Sequence, residues 1–326
     1  GQPDRQPPLD ALLTTDSKTL CELLALGKQW FYGVPCGIIF LDQSFHTLPD
    51  RRKRSLEDDL TLLHGVLVAD QLFFISTDQQ QDCMKYLEFT TTRIPEIRGK
   101  DHLLESFQRK SKVLTLGIDL QELDLWQHQL KYQSPTILWN HRWEPDKRPD
   151  QFLEILKQMA LEGMDFGVVI CGKTTEIEKP PETDIRSLFE EARRFLGDRV
   201  FHFGYAKNRA EYANLLWMSD IVVSTSDTHY FPASIIEAAY CGCFPLMPNR
   251  LCYPSLVPAS QKNRFVYESY EDLHQMLRRL LADPLEIRSA PLRDTMVAMD
   301  WSNVIGHLDL QLASLKNLPT THKAAD

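Results

Sequence analysis

Short apolar runs alternate with longer amphipathic stretches along most of the chain. In the first part the runs fall at residues 11–14, 37–41, 71–76 and 113–116. A polar break at 120–134 follows, carrying Gln127, Gln129, Gln133 and Ser134. The runs return at 136–139, 167–171, 200–203, 221–224, 244–247 and 265–267. Between them, residues 149–162, 184–196, 208–218, 233–240 and 270–281 read as helices. Continuous apolar strands alternating with helices predict a parallel sheet covered on both faces, a doubly wound α/β architecture.

The pattern occurs twice, so two Rossmann-like units are expected, at residues 1–130 and 131–285. Residues 286–326 are expected to form a helical tail, with Trp301, Val304, Leu308, Leu312 and Leu315, that packs back on the first unit. The first unit shows four strands, where a complete unit of this kind has about six. Its opening elements are therefore expected to be missing. Gly1–Pro8 reads as a loop rich in Pro and Gln, with no basic-then-apolar leader.

Composition narrows the class. The chain has 326 residues, 43% hydrophobic and 25% charged, the profile of a folded soluble protein with two ordinary cores. No apolar run approaches the roughly 18 residues needed to cross a bilayer, so no membrane partner is expected. The net charge of −9 argues against non-specific nucleic-acid binding through the global field. Arg51, Arg52, Lys53 and Arg54 form the densest basic cluster, in keeping with a solvated loop before a helix. Seven cysteines without framework spacing point to reduced thiols and a cytoplasmic setting. Cys241-Gly-Cys243 reads as buried small residues, since C-x-C without a second pair is poor zinc spacing. No G-x-G-x-x-G stands at a strand–helix junction, which argues against a Rossmann dehydrogenase.

Three segments carry candidate chemistry. Ile137-Leu-Trp-Asn-His-Arg-Trp-Glu-Pro-Asp-Lys147 delivers Arg142 and Lys147 from a strand end, where ligands of open α/β sheets sit. A planar guanidinium and a compact ammonium suit a diphosphate. Val200-Phe-His-Phe-Gly-Tyr205 places Gly204 where a flat base could approach the backbone. The third segment, from Ser224 to Leu246, is a polar loop followed by a helix near Ala233 whose free N–H groups would face phosphate. Glu237 lies about one turn into that helix, where a carboxylate could accept two ribose hydroxyls. Each segment alone also fits ordinary loop or helix-surface chemistry.

In order and spacing the three segments together resemble the C-terminal domain of retaining family 4 glycosyltransferases. They are most similar to the tRNA-queuosine mannosyltransferase branch. The resemblance rests on His141-Arg-Trp-Glu-Pro-Asp-Lys147, Gly204-Tyr205, Glu237-Ala-Ala-Tyr-Cys-Gly-Cys-Phe-Pro-Leu246 and Tyr253-Pro254. It implies a GT-B fold and transfer of a hexose, mannose from GDP-mannose, onto queuosine in tRNA with retention. Arg142 and Lys147 would hold the donor diphosphate. Gly204, Tyr205 and Glu237 would bind the nucleotide and its ribose, and Tyr230, Phe231 and Pro232 would form the donor-sugar loop. The Arg51–Arg54 run becomes a candidate tRNA contact. No cofactor or metal is implied, and the absence of Asp-x-Asp agrees. The reaction would sit between the two domains.

The chain departs from this pattern at two catalytic positions. The family's first glutamate, eight residues before Glu237, is His229 here, and the usual glycine is Pro232. The branch's Phe-His-Glu-Asn-Gln run corresponds to Leu41-Asp-Gln-Ser-Phe45, so the catalytic histidine falls on Asp42, with His46 nearby. Asp42, His46 and His229 are the candidate catalytic residues. The rival readings are a catalytically degraded homologue that binds nucleotide-sugar or keeps only the fold, and another enzyme on the same scaffold, such as an epimerase.

Overall fold

The computed structural model describes residues 9–26, 31, 34–41, 45, 56–93, 99–127, 130–173, 185–228, 230–288 and 292–318. The chain divides into two compact units, Gly1–Leu116 with Val304–Asp326, and Gly117–Asn303.

In the first unit, strands β1 (Leu12–Thr14), β2 (Cys36–Phe40), β3 (Gln71–Phe74) and β4 (Ser111–Val113) form a parallel sheet in sequential order. Helices α1 (Ser17–Leu26), α2 (Leu56–Val68), α3 (Thr77–Arg93) and α4 (Lys100–Lys110) fill the connections. Successive strand residues point to opposite faces. Phe74 joins a core with Phe40, Phe45 and Phe107, and its ring stacks on Phe40 at 5.0 Å. Phe73, one residue earlier, packs on the other face against Leu114 and Leu308.

The second unit has strands β5 (Thr136–Trp139), β6 (Gly167–Cys171), β7 (Val200–Gly204), β8 (Ile221–Val223), β9 (Phe244–Pro248) and β10 (Val266–Tyr267). All pair in parallel, in the order β10-β9-β8-β5-β6-β7. The order reverses between β5 and β8, the topological switch point of a doubly wound sheet. The helices are α5 (Pro149–Leu161), α6 (Ile185–Leu196), α7 (Arg209–Met218), α8 (Ala233–Tyr240), α9 (Lys262–Phe265), α10 (Tyr270–Ala282), α11 (Pro284–Arg288) and α12 (Arg293–Val297), and α13 (Trp301–Ala313) starts at the end of this unit and from Val304 belongs to the first. Their starts follow side-chain chemistry. Asn208 caps α7 by accepting from Glu211 N at 2.8 Å, and Ser269 caps α10 by accepting from Asp272 N at 3.1 Å.

The same device starts paired strands in both units. Asp70, before β3, accepts from Cys36 N at 2.8 Å, and Asp220, before β8, accepts from Thr136 N at 3.0 Å. Each satisfies a buried donor at the first residue of the neighbouring strand.

The domain limits differ from those expected. The first break comes after Leu116 and the second after Asn303, not after residues 130 and 285. The polar stretch 120–134 conceals Leu120 and Leu123, both fully buried in the second core. Trp217 Nε1 donates to Leu123 O at 2.8 Å, and Asp300 Oδ2 accepts from Leu120 N at 3.0 Å. Residues 286–303 therefore stay with the second unit. From Val304 onward the tail belongs to the first, where Leu308 and Leu312 cover the Phe73 face.

Candidate functional site

The carboxyl ends of β5, β6 and β7 meet around a cavity of 620 Å³ within the second unit. Its floor depends on a glycine. A Cβ on Gly172 would lie 2.0 Å from His141 O, so only glycine lets the loop after β5 cross the end of β6. Trp143 N donates to Lys173 O and Gly172 N to Gly204 O, each at 3.0 Å. The Trp143 ring stacks on Phe189 at 4.2 Å and anchors the same loop. Gly204 itself has φ +117° with open space at its Cβ position, a conformation other residues rarely adopt.

Among the described residues, Arg142, Lys173, Lys207 and Arg209 line the cavity as cations. Arg142 is largely exposed and pairs with Glu144 at 3.3 Å. Tyr205 is exposed at the rim, with Lys173 Nζ 4.7 Å from its ring centre. Such an assembly suits an anionic ligand with a flat group.

One wall is a hydrogen-bonded chain. Glu237, in α8, is 9% exposed. Its Oε1 accepts from Arg209 Nη1 at 2.7 Å and its Oε2 from the Tyr212 hydroxyl at 2.8 Å. Asn140 Nδ2 donates to Tyr212 at 3.2 Å and to Ser234 O at 2.9 Å. Arg209 also pairs with Glu122 at 3.0 Å. Burial and the adjacent Glu237 charge push the Tyr212 phenol well above its ordinary pKa, so it stays protonated.

Lys147 lies apart from the cavity lining and is 3% exposed. Its ammonium bonds Asp146 at 2.6 Å and Thr228 at 2.9 Å, and Thr228 also donates to Asp146. Burial holds its pKa below the usual lysine range, a shift the Asp146 charge partly offsets. The fold thus brings Arg142 and Tyr205 to the cavity, with Glu237 reached through Arg209 and Tyr212. Tyr230 and Pro232, expected in a donor-sugar loop, are buried before α8, and Phe231 is half-buried against the core. Asp42, His46, Arg51, Arg52, Lys53, Arg54 and His229 lie outside the described residues.

Asn140, Lys173, Arg209 and Tyr212 were not singled out by the sequence reading. Asn140 stands inside the first segment noted there. Arg209 and Tyr212 are three apart at the start of a helix that follows a strand, a position that marks candidates at the ligand end of an open sheet. Cys241 and Cys243 are both buried, and Cys243 Sγ lies 3.3 Å from Leu216 O. Among the described residues no group of His, Cys, Asp and Glu is arranged to hold a metal ion. Among them, too, no helix is long and apolar enough to cross a membrane.

A family model described as "Glycosyl transferases group 1" matches residues 121–296. A second, "tRNA-queuosine alpha-mannosyltransferase N-terminal", matches residues 2–118. The tRNA-queuosine alpha-mannosyltransferase of Drosophila melanogaster is 29% identical over 228 residues, covering 67% of this chain and 57% of that protein. The chain thus spans little more than half of that relative's length. Among solved structures, a UDP-forming trehalose-phosphate synthase from Burkholderia xenovorans matches with TM-score 0.70 at 16% identity, over 97% of this chain and 75% of its own. HepE of Anabaena, in complex with UDP and glucose, matches with TM-score 0.68 at 16% identity, over 95% and 78%. At this identity the structural likeness speaks for the fold. With a group 1 model over more than half of its length, the chain belongs to the group 1 glycosyl transferases and has the GT-B fold, and over residues 2–118 it is similar to the N-terminal part of the tRNA-queuosine alpha-mannosyltransferases.

Proposed function

We propose that this protein transfers mannose from GDP-mannose to the cyclopentene-diol of queuosine in tRNA, with retention at the sugar. The observation that carries the donor half is the cationic cavity at the ends of β5–β7, walled by Glu237 through Arg209 and Tyr212. A diphosphate would find Arg142 and Lys173 there and a base Tyr205, and a ribose diol would reach the Glu237 carboxylate beside Arg209 and Tyr212. The acceptor half rests on the N-terminal match over residues 2–118. Basic side chains and the N-terminus of α8 would neutralise the leaving diphosphate, so the reaction needs no metal ion and no cofactor. Seven cysteines without framework spacing fit a cytoplasmic site of action.

A second reading is favoured by two sequence observations: His229 stands where the resembled family carries glutamate, and Asp42 where it carries histidine. On that reading the protein binds nucleotide-sugar and transfers it slowly or not at all. Release of GDP from GDP-mannose, measured with tRNA containing queuosine and with tRNA lacking it, separates the two. Release that depends on queuosine, with mannose recovered on the tRNA, is the result the transferase reading expects. GDP-mannose binding without release would overturn it. A gain in turnover from His229→Glu combined with Pro232→Gly would identify a degraded site.

A further inference from the structure

Glu237 is held from both sides, and the direction of every hydrogen in the chain that holds it can be assigned. Asn140 Nδ2 lies 2.9 Å from Ser234 O, which can only accept, so this side of the amide must be the NH₂. The same NH₂ donates to the Tyr212 oxygen at 3.2 Å. Tyr212 therefore spends its single proton on Glu237 Oε2, 2.8 Å away. Arg209 gives Nη1 to the other oxygen at 2.7 Å. It is braced by Glu122 at 3.0 Å and by Asp119 O at 3.4 Å.

We propose that Tyr212 and Arg209 are positioning residues that orient the Glu237 carboxylate for the two adjacent hydroxyls of the donor ribose, with Asn140 setting the direction of the Tyr212 proton. The proposal rests on the donor-site reading above. Each carboxylate oxygen can accept about two hydrogen bonds. One donor on each oxygen leaves one acceptor site on each, at a fixed separation, and vicinal hydroxyls offer two donors at matching spacing. Without the clamp the carboxylate would rotate about its terminal torsion, which is broad and weakly restrained. The wall also offers a further acceptor. Asn140 Oδ1 is buried, and among the described residues it has no hydrogen-bond partner, which fits a cavity shaped to receive a ligand's N–H or O–H.

The rival account is that Arg209 and Tyr212 only tie the 119–127 segment and α8 together. Calorimetry with GDP and with its analogue lacking both ribose hydroxyls distinguishes the two. Wild-type protein is expected to prefer GDP by about 10-fold or more, the worth of hydrogen bonds to a charged group. Tyr212→Phe should lose most of that preference and keep its affinity for the analogue within about 2-fold, the shift left when a neutral contact changes little. Arg209→Lys, checked for folding by its thermal transition, should lose part of the preference and provides the same readout if Tyr212→Phe fails to fold. Equal weakening toward both ligands, or an unchanged preference, overturns the positioning role while leaving the donor site intact. Failure of the wild type to bind GDP overturns both the positioning role and the donor-site reading.

Discussion

Lys147 donates a 2.9 Å hydrogen bond to the hydroxyl of Thr228, joining the loop after β5 to the loop after β8 across the point where the strand order reverses. Thr225 Oγ1 donates to Lys147 O at 2.6 Å, and Asp227 N to Asp146 O at 2.8 Å, and with the Thr228 hydroxyl donating to Asp146 these contacts bind the two loops. Replacing Lys147 by Met keeps the stem but removes the ammonium from Asp146 and Thr228. The expected loss is about 1–3 kcal/mol of stability, the cost of leaving polar partners unsatisfied. Urea unfolding measures it, and a loss within about 0.3 kcal/mol would assign the contact no weight beyond the usual scatter of surface changes.

Arg142 is the cation of the first segment that lines the cavity, with most of its side chain open to solvent. Arg142→Ala should leave the thermal transition almost unchanged. It should weaken nucleotide-diphosphate-sugar binding by about 1.5–3 kcal/mol, a lost charge-assisted hydrogen bond. Equal donor affinity in mutant and wild type, by calorimetry, would remove the diphosphate assignment.

Two glycines should respond in opposite directions to the same change. Gly172→Ala forces a methyl group toward the His141 carbonyl, 2.0 Å away, and backbone cannot yield cheaply. Its expected cost is about 1–3 kcal/mol, as for overpacking, together with weaker donor binding. Gly306, in α13, meets nothing within 4 Å, so Gly306→Ala should stabilise by about 0.5–1 kcal/mol through helix propensity. Differential scanning calorimetry of both variants checks the signs.

Lys110 donates to Ala69 O at 2.9 Å, and burial lowers its pKa from 10.5 to about 8. Between these values the unfolded chain binds more protons at this lysine than the folded one, so its contribution to stability rises with pH. The stability of wild type relative to Lys110→Met should therefore increase from pH 8 to pH 10.5. Denaturant titrations at three pH values suffice, and a flat or falling difference would show that Lys110 is not desolvated in solution.

Most strands were legible because they are continuous apolar runs, as at Val168, Val169 and Ile170, all fully buried, whereas β4, Ser111-Lys112-Val113, was met only at its last residue because the first two are polar. Helix α8 was legible to its last residue, because Gly242 stops it at φ +87°. The polar break at 120–134 misled because its composition hides Leu120 and Leu123, whose burial depends on Trp217 and Asp300, far along the chain. Glu237 and Arg142 were singled out from the order and spacing of their segments. Arg209, Tyr212 and Asn140 were not, since what makes them a site is their approach to Glu237, 25 or more residues away. That approach follows from β8 returning to lie beside β5, which carries α8 next to α7 and the end of the first strand. Periodicity records which residues avoid water. The pairing of strands across the sheet decides which polar groups meet, because a buried hydrogen bond needs its partner within about 3 Å and sequence distance sets no such limit.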